Sequence, residues 1–194
     1  AAVVRFGGNK VGVFWSDQNR WEFGFRVHRD GDAPEDWSST EVIYAGDDQS
    51  DDHLNMAADR QGRVYAITKD AHDLFAVHRR DASGTWTTKE DISKGQTGTR
   101  PVLMLDDSET KLYALYTCWD CSGADPIVYR TGSTSTLSFG SSSTYISNSS
   151  QSLNDVTDMK QILPPGCFIA IASGASTAYW NGSGSPPAGN GFDP

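Results

Sequence analysis

The sequence lacks several features that would assign it to a common class of protein. It has no apolar stretch of about 18 residues, so no membrane insertion is expected. It has no run of Lys or Arg and its formal net charge is −9, which argues against nucleic acid as a partner. Its three cysteines leave at least one thiol unpaired if a disulfide forms. Signals for helices are scarce, which favours an all-β fold.

What the chain does contain is an internal repeat of about 50 residues. Val27-His28-Arg29, Val77-His78-Arg79 and Val128-Tyr129-Arg130 recur at that period, and Ala178-Tyr179-Trp180 falls where a fourth copy is expected. The repeating unit consists of short strand-like runs with alternating apolar and polar residues. This pattern predicts the four-stranded blades of a β-propeller.

Four blades are predicted, at residues 1–46, 51–93, 100–148 and 154–180, with residues 181–194 as a Gly/Ser/Pro linker or tail. The fourth blade is expected to offer strands at 157–163, 167–172 and 177–180 and to lack an outer strand. The chain is therefore expected to be part of a larger ring of six to eight blades. The remainder of the propeller, or another copy of the chain, is expected to close it.

Candidate functional residues lie in the loops that a propeller gathers on one face, namely those joining successive blades and those joining the second strand to the third. The predicted ligand-binding residues are Asp17, Gln18, Asp52, Lys69, Arg100, Trp119 and Lys160. Arg and Lys can meet a carboxylate or sulfate, and Trp119 offers a flat face on which a sugar ring can stack.

Asp51-Asp52-His53 is the densest cluster of polar side chains. Asp51 and Asp52 could hold a divalent cation such as Ca²⁺, or a carboxylate could orient His53 as a general base. The alternative is that Asp caps the entry to a strand. Because side chains alternate along a strand, at most two of the three are expected to converge.

Two other motifs have structural interpretations beside functional ones. Asp81 to Trp86, and Asp30-Gly31 with Trp37, resemble the aspartate-box turn of sialidase-like propellers, but the spacing differs. They are expected to cap hairpins and to place Trp between blades. Cys118-Trp-Asp-Cys121 has the spacing of half a zinc or redox site, or of a local disulfide.

The segments GGNKVGVFWSDQ at 7–18, DDHLN at 51–55, GRVYA at 62–66, Thr99-Arg100-Pro101 and Lys160-Gln161 resemble a family of uncharacterised bacterial extracellular propellers in the BNR-repeat, sialidase-like style. The resemblance implies a secreted or cell-surface protein. The chain is also distantly similar to propeller polysaccharide lyases. That likeness implies His53 as the base, with Arg100 and Lys69 neutralising a uronate.

These observations leave three hypotheses for the function. The first is a module that binds glycan through its loop face, with Trp119, Arg100, His53 and Asp52 as contacts. The second is a polysaccharide lyase or hydrolase that acts on acidic polymers. The third is a structural or assembly module that pairs through open blade edges.

Overall fold

The computed structural model describes residues 1–46, 50–149, 151–158, 169–174, 178–182 and 190–192. These residues form sixteen β-strands, and no helix occurs among them. Within the same ranges there is accordingly no helix that could span a membrane. The all-β prediction is confirmed.

The strands follow one another at short intervals along the chain. They are β1 Ala2–Phe6, β2 Lys10–Asp17, β3 Glu22–Arg29, β4 Glu41–Ala45, β5 Leu54–Ala58, β6 Val64–Lys69, β7 Phe75–Arg80, β8 Trp86–Lys89, β9 Gly98–Leu105, β10 Lys111–Cys118, β11 Ile127–Ser133, β12 Ser143–Ile146, β13 Leu153–Asp158, β14 Ile169–Gly174, β15 Ala178–Gly182 and β16 Asn190–Phe192.

Each set of four consecutive strands forms one antiparallel sheet, and the strand order in each sheet follows the order in the chain. This four-stranded meander is the blade of a β-propeller, so the predicted fold class is confirmed. The chain divides into two compact units. Ala1–Ile92 contains the first two blades, and Ser93–Pro194 contains the last two.

In the first unit, aromatic side chains of the first blade pack on the second blade. Phe14 and Phe25 are fully buried, and the Trp86 ring of β8 lies 6.4 Å from Phe14 and 5.3 Å from Phe25. Gly12 makes room for this packing, because a Cβ atom there would lie 2.2 Å from the Phe25 ring. The prediction that this Trp packs between blades is confirmed.

The hairpin turn after β7 is closed by Asp81, as expected. Asp81 Oδ1 accepts hydrogen bonds from the backbone N–H groups of Ser83 and Thr85 at 2.9 Å each. Asp106 caps the β9–β10 turn in the same way, through the N–H groups of Thr110 and Lys111. These aspartates have a local structural role.

In the second unit, the core joins the third and fourth blades through aliphatic side chains. Leu115 and Ile127 of the third blade are buried with Leu153, Val156 and Ala172 of the fourth. Cys118 and Cys121 form a disulfide at the end of β10. Of the alternatives for this cysteine pair, the local disulfide is the one observed.

The fourth blade differs from the sequence prediction. Its first strand runs from Leu153 to Asp158, four residues earlier than expected, and its outer strand is Asn190–Phe192, which pairs with β15. The expectation that this blade lacks an outer strand is therefore wrong. Short, Gly-rich strands such as Asn190–Phe192 carry too little apolar alternation to be recognised in a sequence.

Candidate functional site

One end of the first unit gathers five polar side chains, which we call the loop cluster: Asp51, Asp52, His53, Lys69 and Asp73. The first three precede β5, Lys69 ends β6, and Asp73 lies in the turn between β6 and β7. Backbone hydrogen bonds from Asp51 N to Lys69 O and from Lys69 N to His53 O, both 3.1 Å, hold the segments together.

The imidazole of His53 is oriented by two carboxylates. Its Nδ1 lies 2.8 Å from Asp51 Oδ1 and 2.6 Å from Asp52 Oδ1. Two acceptors beside Nδ1 favour the tautomer in which this nitrogen carries the proton, which leaves Nε2 to accept one. A carboxylate that orients an imidazole in this way is the arrangement expected of a general base.

All three side chains of Asp51-Asp52-His53 converge, and their ligand atoms lie within 4.8 Å of one another. The expectation that at most two would converge is wrong. The three residues precede β5 and do not belong to it, so the alternation of a strand does not govern their directions. Asp51 Oδ1 also accepts the backbone N–H of His53 at 3.1 Å, so the expected capping role is present as well.

Lys69 is held inside the cluster. Its side chain is 6% exposed, and Nζ lies 2.8 Å from Asp51 Oδ2 and 2.5 Å from Asp73 Oδ1. Burial by itself would lower the pKa of Lys69, but the hydrogen bonds with Asp51 and Asp73 raise it. The ammonium group therefore stays charged and balances these two carboxylates. That Lys69 contacts a ligand stays a prediction.

The two neighbouring carboxyl groups have opposite pKa shifts. Burial tends to raise the pKa of Asp51, but hydrogen bonds with Asp52, Lys69 and His53 hold it well below its usual value. The hydrogen bond with Asp51 raises the pKa of Asp52, and partial burial adds to this effect. Asp51 is thus the carboxylate that stays ionised, and Asp52 is the one that takes up a proton first.

The loop cluster supplies only some of the ligands that a divalent cation needs. Asp51, Asp52 and His53 supply three ligand atoms, whereas Ca²⁺ takes six to eight oxygens. Lys69 Nζ already neutralises Asp51 at 2.8 Å. Among the described residues, no fourth acidic, His or Cys side chain joins this group. These three residues alone therefore supply too few oxygen ligands for Ca²⁺.

A cavity of about 460 Å³ opens beside the loop cluster. Its lining residues are Ala1, Trp15, Ser16, Asp17, Gln18, Asn19 and Asp52. The Trp15 ring lies against Gly24 on β3, where a Cβ atom would come within 2.3 Å of it. Three of the predicted ligand-binding residues, Asp17, Gln18 and Asp52, therefore line one cavity.

The turn that carries Gln18 and Asn19 is fixed by its own backbone. Asp17 Oδ1 accepts the N–H of Asn19 at 3.1 Å and that of Arg20 at 3.3 Å. Asp17 O accepts the hydroxyl of Ser50 at 3.3 Å. The amide side chains of Gln18 and Asn19 are exposed on this fixed turn.

Arg100 belongs to the second unit and is held by the fourth blade. It has a positive φ of 51°, at an irregularity in the pairing of β9 with β10. Its Nε lies 2.6 Å from Asp155 Oδ1, and its Nη1 donates to Asn154 Oδ1 at 2.9 Å. The irregularity directs the guanidinium towards β13. A ligand carboxylate would compete with Asp155 for this group.

Trp119 lies in the second unit on the loop between β10 and β11 and is 43% exposed. The Cys118–Cys121 disulfide brackets the residue, and its backbone N–H donates to Thr97 O at 3.1 Å. Asp120 Oδ2 accepts the N–H of Thr97 at 2.8 Å and its hydroxyl at 2.6 Å. The loop therefore presents an exposed indole on a fixed backbone.

The predicted residues fall into three groups. Asp17, Gln18, Asp51, Asp52, His53 and Lys69 lie together in the first unit, and Arg100 and Trp119 lie in the second. Lys160 lies outside the described residues. Their roles in binding or catalysis stay predictions.

Trp15, Asn19 and Asp73 contribute to the site without having been selected from the sequence. Asn19 and Asp73 lie in loops that the blade pattern assigns to this face, so their position was the available signal. Trp15 lies within β2, and its interpretation as a strand residue concealed its place in the cavity wall. The pairing of Trp15 with Gly24 indicates that the indole lies across β3, but this pairing is known only once the strand register is known.

A scan against protein-family models finds no match, and a search of curated proteins finds no significant similarity. Solved structures do resemble the chain. A mutant of AofleA from Arthrobotrys oligospora is 10% identical, with a TM-score of 0.64 over 99% of this chain and 56% of its own. A mutant of Aleuria aurantia lectin in complex with Fucalpha1-6GlcNAc is 13% identical, with a TM-score of 0.64 over 98% of this chain and 61% of its own.

A polysaccharide lyase, an ulvan lyase bound to -[GlcA(1-4)Rha3S]-, is 10% identical, with a TM-score of 0.63 over 93% of this chain and 50% of its own. At these identities the likeness shows the fold alone. The chain spans between half and about three fifths of the length of these three structures.

Proposed function

We propose that this protein binds carbohydrate, and that the cavity beside the loop cluster is its binding site. The observation that carries the proposal is the lining of this cavity of about 460 Å³ by an indole, amides and carboxyl groups. Its volume lies within the range of small-molecule sites. Sugars need an apolar face for their C–H groups and both donors and acceptors for their hydroxyls.

Similar proteins support a carbohydrate ligand at the level of the fold. The lectin and the lyase named above are each described with a bound saccharide. We further propose that the protein is secreted or displayed on the cell surface, since the Cys118–Cys121 disulfide persists in an oxidising compartment. Arg100 and Trp119 remain candidate contacts in the second unit, to be tested separately.

The proposal is tested on an array of plant, algal and microbial glycans, followed by titration of the best ligand. Gln18→Ala combined with Asn19→Ala is expected to weaken binding at least tenfold, because two amides of the cavity wall are lost. The matched control is Gln61→Ala, in the exposed β5–β6 turn outside the cavity. Equal affinity of the double variant and the control would reject the site.

Elimination of an acidic polysaccharide is the second candidate, and the orientation of His53 favours it. His53 Nε2 would remove the proton next to a uronate carboxylate. The electron pair would then form a carbon–carbon double bond as the glycosidic oxygen leaves and is protonated by an acid. Asp51 and Asp52, at 2.8 and 2.6 Å from Nδ1, would stabilise the imidazolium that forms.

His53→Ala tests this second candidate. It is expected to abolish the unsaturated uronate ends that wild-type protein produces from a panel of ulvan, alginate, pectin and glycosaminoglycans. Retained binding in the variant would separate catalysis from recognition. His72→Ala is the matched control, because His72 is exposed in the β6–β7 turn. Absence of unsaturated ends with wild-type protein would reject the lyase hypothesis and would not affect the binding proposal.

A further inference from the structure

A second cavity lies at the other end of the first blade. It has a volume of about 380 Å³, and we call it the Trp37 groove. Its lining residues are Lys10, Val27, Arg29, Asp32, Asp36, Trp37, Ser38, Glu41 and Arg80. The first cavity lies near Glu22, where β3 begins, because its lining residue Asp17 pairs with Glu22, whereas the groove lies near Arg29, where β3 ends. The length of β3 therefore separates the two cavities by about 20 Å.

The groove exists because one connection of the first blade is long. The chain between β3 and β4 runs from residue 30 to residue 40, whereas the corresponding chain between β7 and β8 runs only from 81 to 85. In the second blade this connection leads directly to Trp86, the first residue of β8, which packs inside between the blades. In the first blade Trp37 lies at the surface, where it is 37% exposed, so the expectation that this Trp also packs between blades is wrong.

Trp37 is held in one orientation. Its Nε1–H donates to Pro34 O at 3.0 Å, and its ring lies 5.2 Å from the His28 ring at an angle of 38°. The next residue, Ser38, donates its N–H to Val27 O at 2.9 Å and accepts the Val27 N–H on its hydroxyl at 3.0 Å. Because these contacts already fix the indole, it loses little conformational entropy when a ligand binds.

Arg80 and Glu41 close the inner wall of the groove with a neutral ion pair. Arg80 Nε and Nη2 donate to the two oxygens of Glu41 at 2.8 and 2.7 Å, and Trp86 Nε1 donates to Glu41 Oε2 at 2.6 Å. Arg80 is 9% exposed. This wall is polar and rigid and has no net charge of its own.

The outer wall has free charges of both signs. Arg29, Asp32 and Asp36 are exposed, and their side chains make no hydrogen bond or ion pair with any residue that the structure describes. Lys10 completes a set of two cations and two anions. An anionic ligand would meet Asp32 and Asp36, and a cationic ligand would meet Lys10 and Arg29. A neutral ligand that both donates and accepts hydrogen bonds suits all four.

We propose that the Trp37 groove is a second binding site, which takes a neutral sugar ring. The C–H face of the ring stacks on the Trp37 indole, its hydroxyls donate to Asp32 and Asp36, and its oxygens accept from Arg29 and Lys10. The site is independent of the cavity beside the loop cluster. A protein with both sites would hold two sugar units of one polymer, or of two, at opposite ends of the first blade.

The test uses ¹⁵N NMR and a panel of methyl pyranosides of glucose, galactose, mannose, fucose, rhamnose and xylose. At least one glycoside is expected to shift the indole N–H resonance of Trp37, which Trp37→Phe identifies by its disappearance. Trp37→Ala is expected to weaken that binding at least tenfold, and Arg29→Gln several-fold. Because the Arg29 side chain is exposed and makes no hydrogen bond or ion pair within the described residues, Arg29→Gln tests the groove even if Trp37→Ala does not fold.

The outcomes separate this inference from the proposed function. Loss of binding in Trp37→Ala but not in the Gln18→Ala, Asn19→Ala double variant supports the groove. Loss in the double variant alone, or no shift of the Trp37 resonance with any glycoside, overturns it and leaves the other site standing. Methyl glucuronide is expected to bind more weakly than methyl glucoside, because Asp32 and Asp36 repel its carboxylate. The opposite order would refute the charge argument.

Discussion

The histidine of the second Val-His-Arg string is fully buried, whereas His28 of the first lies beside Trp37 at the surface. His78 bridges two strands, with Nε2 2.9 Å from Thr68 Oγ1 and Nδ1 2.9 Å from Thr88 Oγ1. Both neighbours are neutral hydroxyls, so nothing compensates a charge on the ring. Burial therefore lowers the pKa of His78 to about 3.

This shift predicts acid sensitivity of the first unit. Below about pH 6.5 His78 is protonated in the unfolded chain but stays neutral in the folded chain. The free energy of unfolding therefore falls as the pH drops from about 6.5 towards 3. The folding equilibrium constant should lose up to about tenfold per pH unit from this residue. Urea unfolding of wild type and His78→Gln measures the difference. The variant should show the shallower dependence on pH.

His72→Gln is the control for this experiment, because it removes an exposed histidine of the same unit. Hydrogen bonds hold the pKa values of Asp81 and Asp120 below their usual range. The stability that these carboxylates contribute is lost only as the pH falls below about 4, whereas the effect of His78 begins near pH 6.5. Parallel curves for wild type and His78→Gln between about pH 6.5 and 4 would contradict the assignment.

At the scale of the element, small residues of the first blade make room for large ones. Gly12 on β2 lies beneath Phe25, and Gly24 on β3 lies beneath Trp15. Phe25 is fully buried and meets Trp86 edge-on at 79°, so its ring has no room to move aside. The blade contact therefore depends on the absence of a side chain at Gly12.

Gly12→Ala should lower the free energy of unfolding by about 1–3 kcal/mol, because the new methyl group would lie 2.2 Å from Phe25. Gly140→Ala is the matched control, since its Cβ would come no closer than 3.7 Å to any neighbour. Urea denaturation of both variants measures the difference. Equal stabilities would show that the packing at Gly12 adapts.

Elements of the fold were predictable wherever alternation was strong. In β1 and β2 of the first blade the more buried positions recur at every second residue, which is the alternation that a sequence can show. The prediction for the fourth blade was wrong for both its first and its last strand. The residues of β13 alternate weakly, and the three-residue strand β16 has no such pattern, so its pairing with β15 could not be read from local sequence.

The site was predictable in part for the same physical reason. Blade periodicity placed Asp17, Gln18 and the Asp51-Asp52-His53 segment on one face, since it assigns loops to ends of a sheet. It could not give the direction of side chains that precede a strand, nor the ion pair of Lys69 with Asp73. The Trp37 groove depends on the length of one connection and on a hydrogen bond to Pro34, neither of which a repeat pattern encodes.

For the whole molecule, four blades correspond to about half of the length of the solved propellers that it resembles. The first blade has one face with apolar side chains at the surface, where Val3 is 68% and Val42 is 52% exposed. Val3 pairs directly with Val13 on β2, which extends this apolar surface. We propose that a further blade, or another copy of the chain, covers this face.

The proposal predicts that the isolated chain associates as its concentration rises. Sedimentation velocity should show species larger than 21.1 kDa for wild type. The double variant Val3→Lys, Val42→Lys should remain a single chain, because charge on the face opposes burial. Thr87→Lys, at an exposed position of β8, controls for the added charge. A wild-type chain that stays monomeric at every concentration would contradict the proposal.

The measurement that tests the central claim most directly is calorimetric titration of the wild-type protein, of the Gln18→Ala, Asn19→Ala double variant and of Gln61→Ala with the best ligand from the glycan array. We expect saturable binding by wild type and by Gln61→Ala, and affinity at least tenfold weaker for the double variant at unchanged thermal stability. Binding that is the same in all three proteins, or no saturable binding of any glycan, would contradict a carbohydrate site beside the loop cluster.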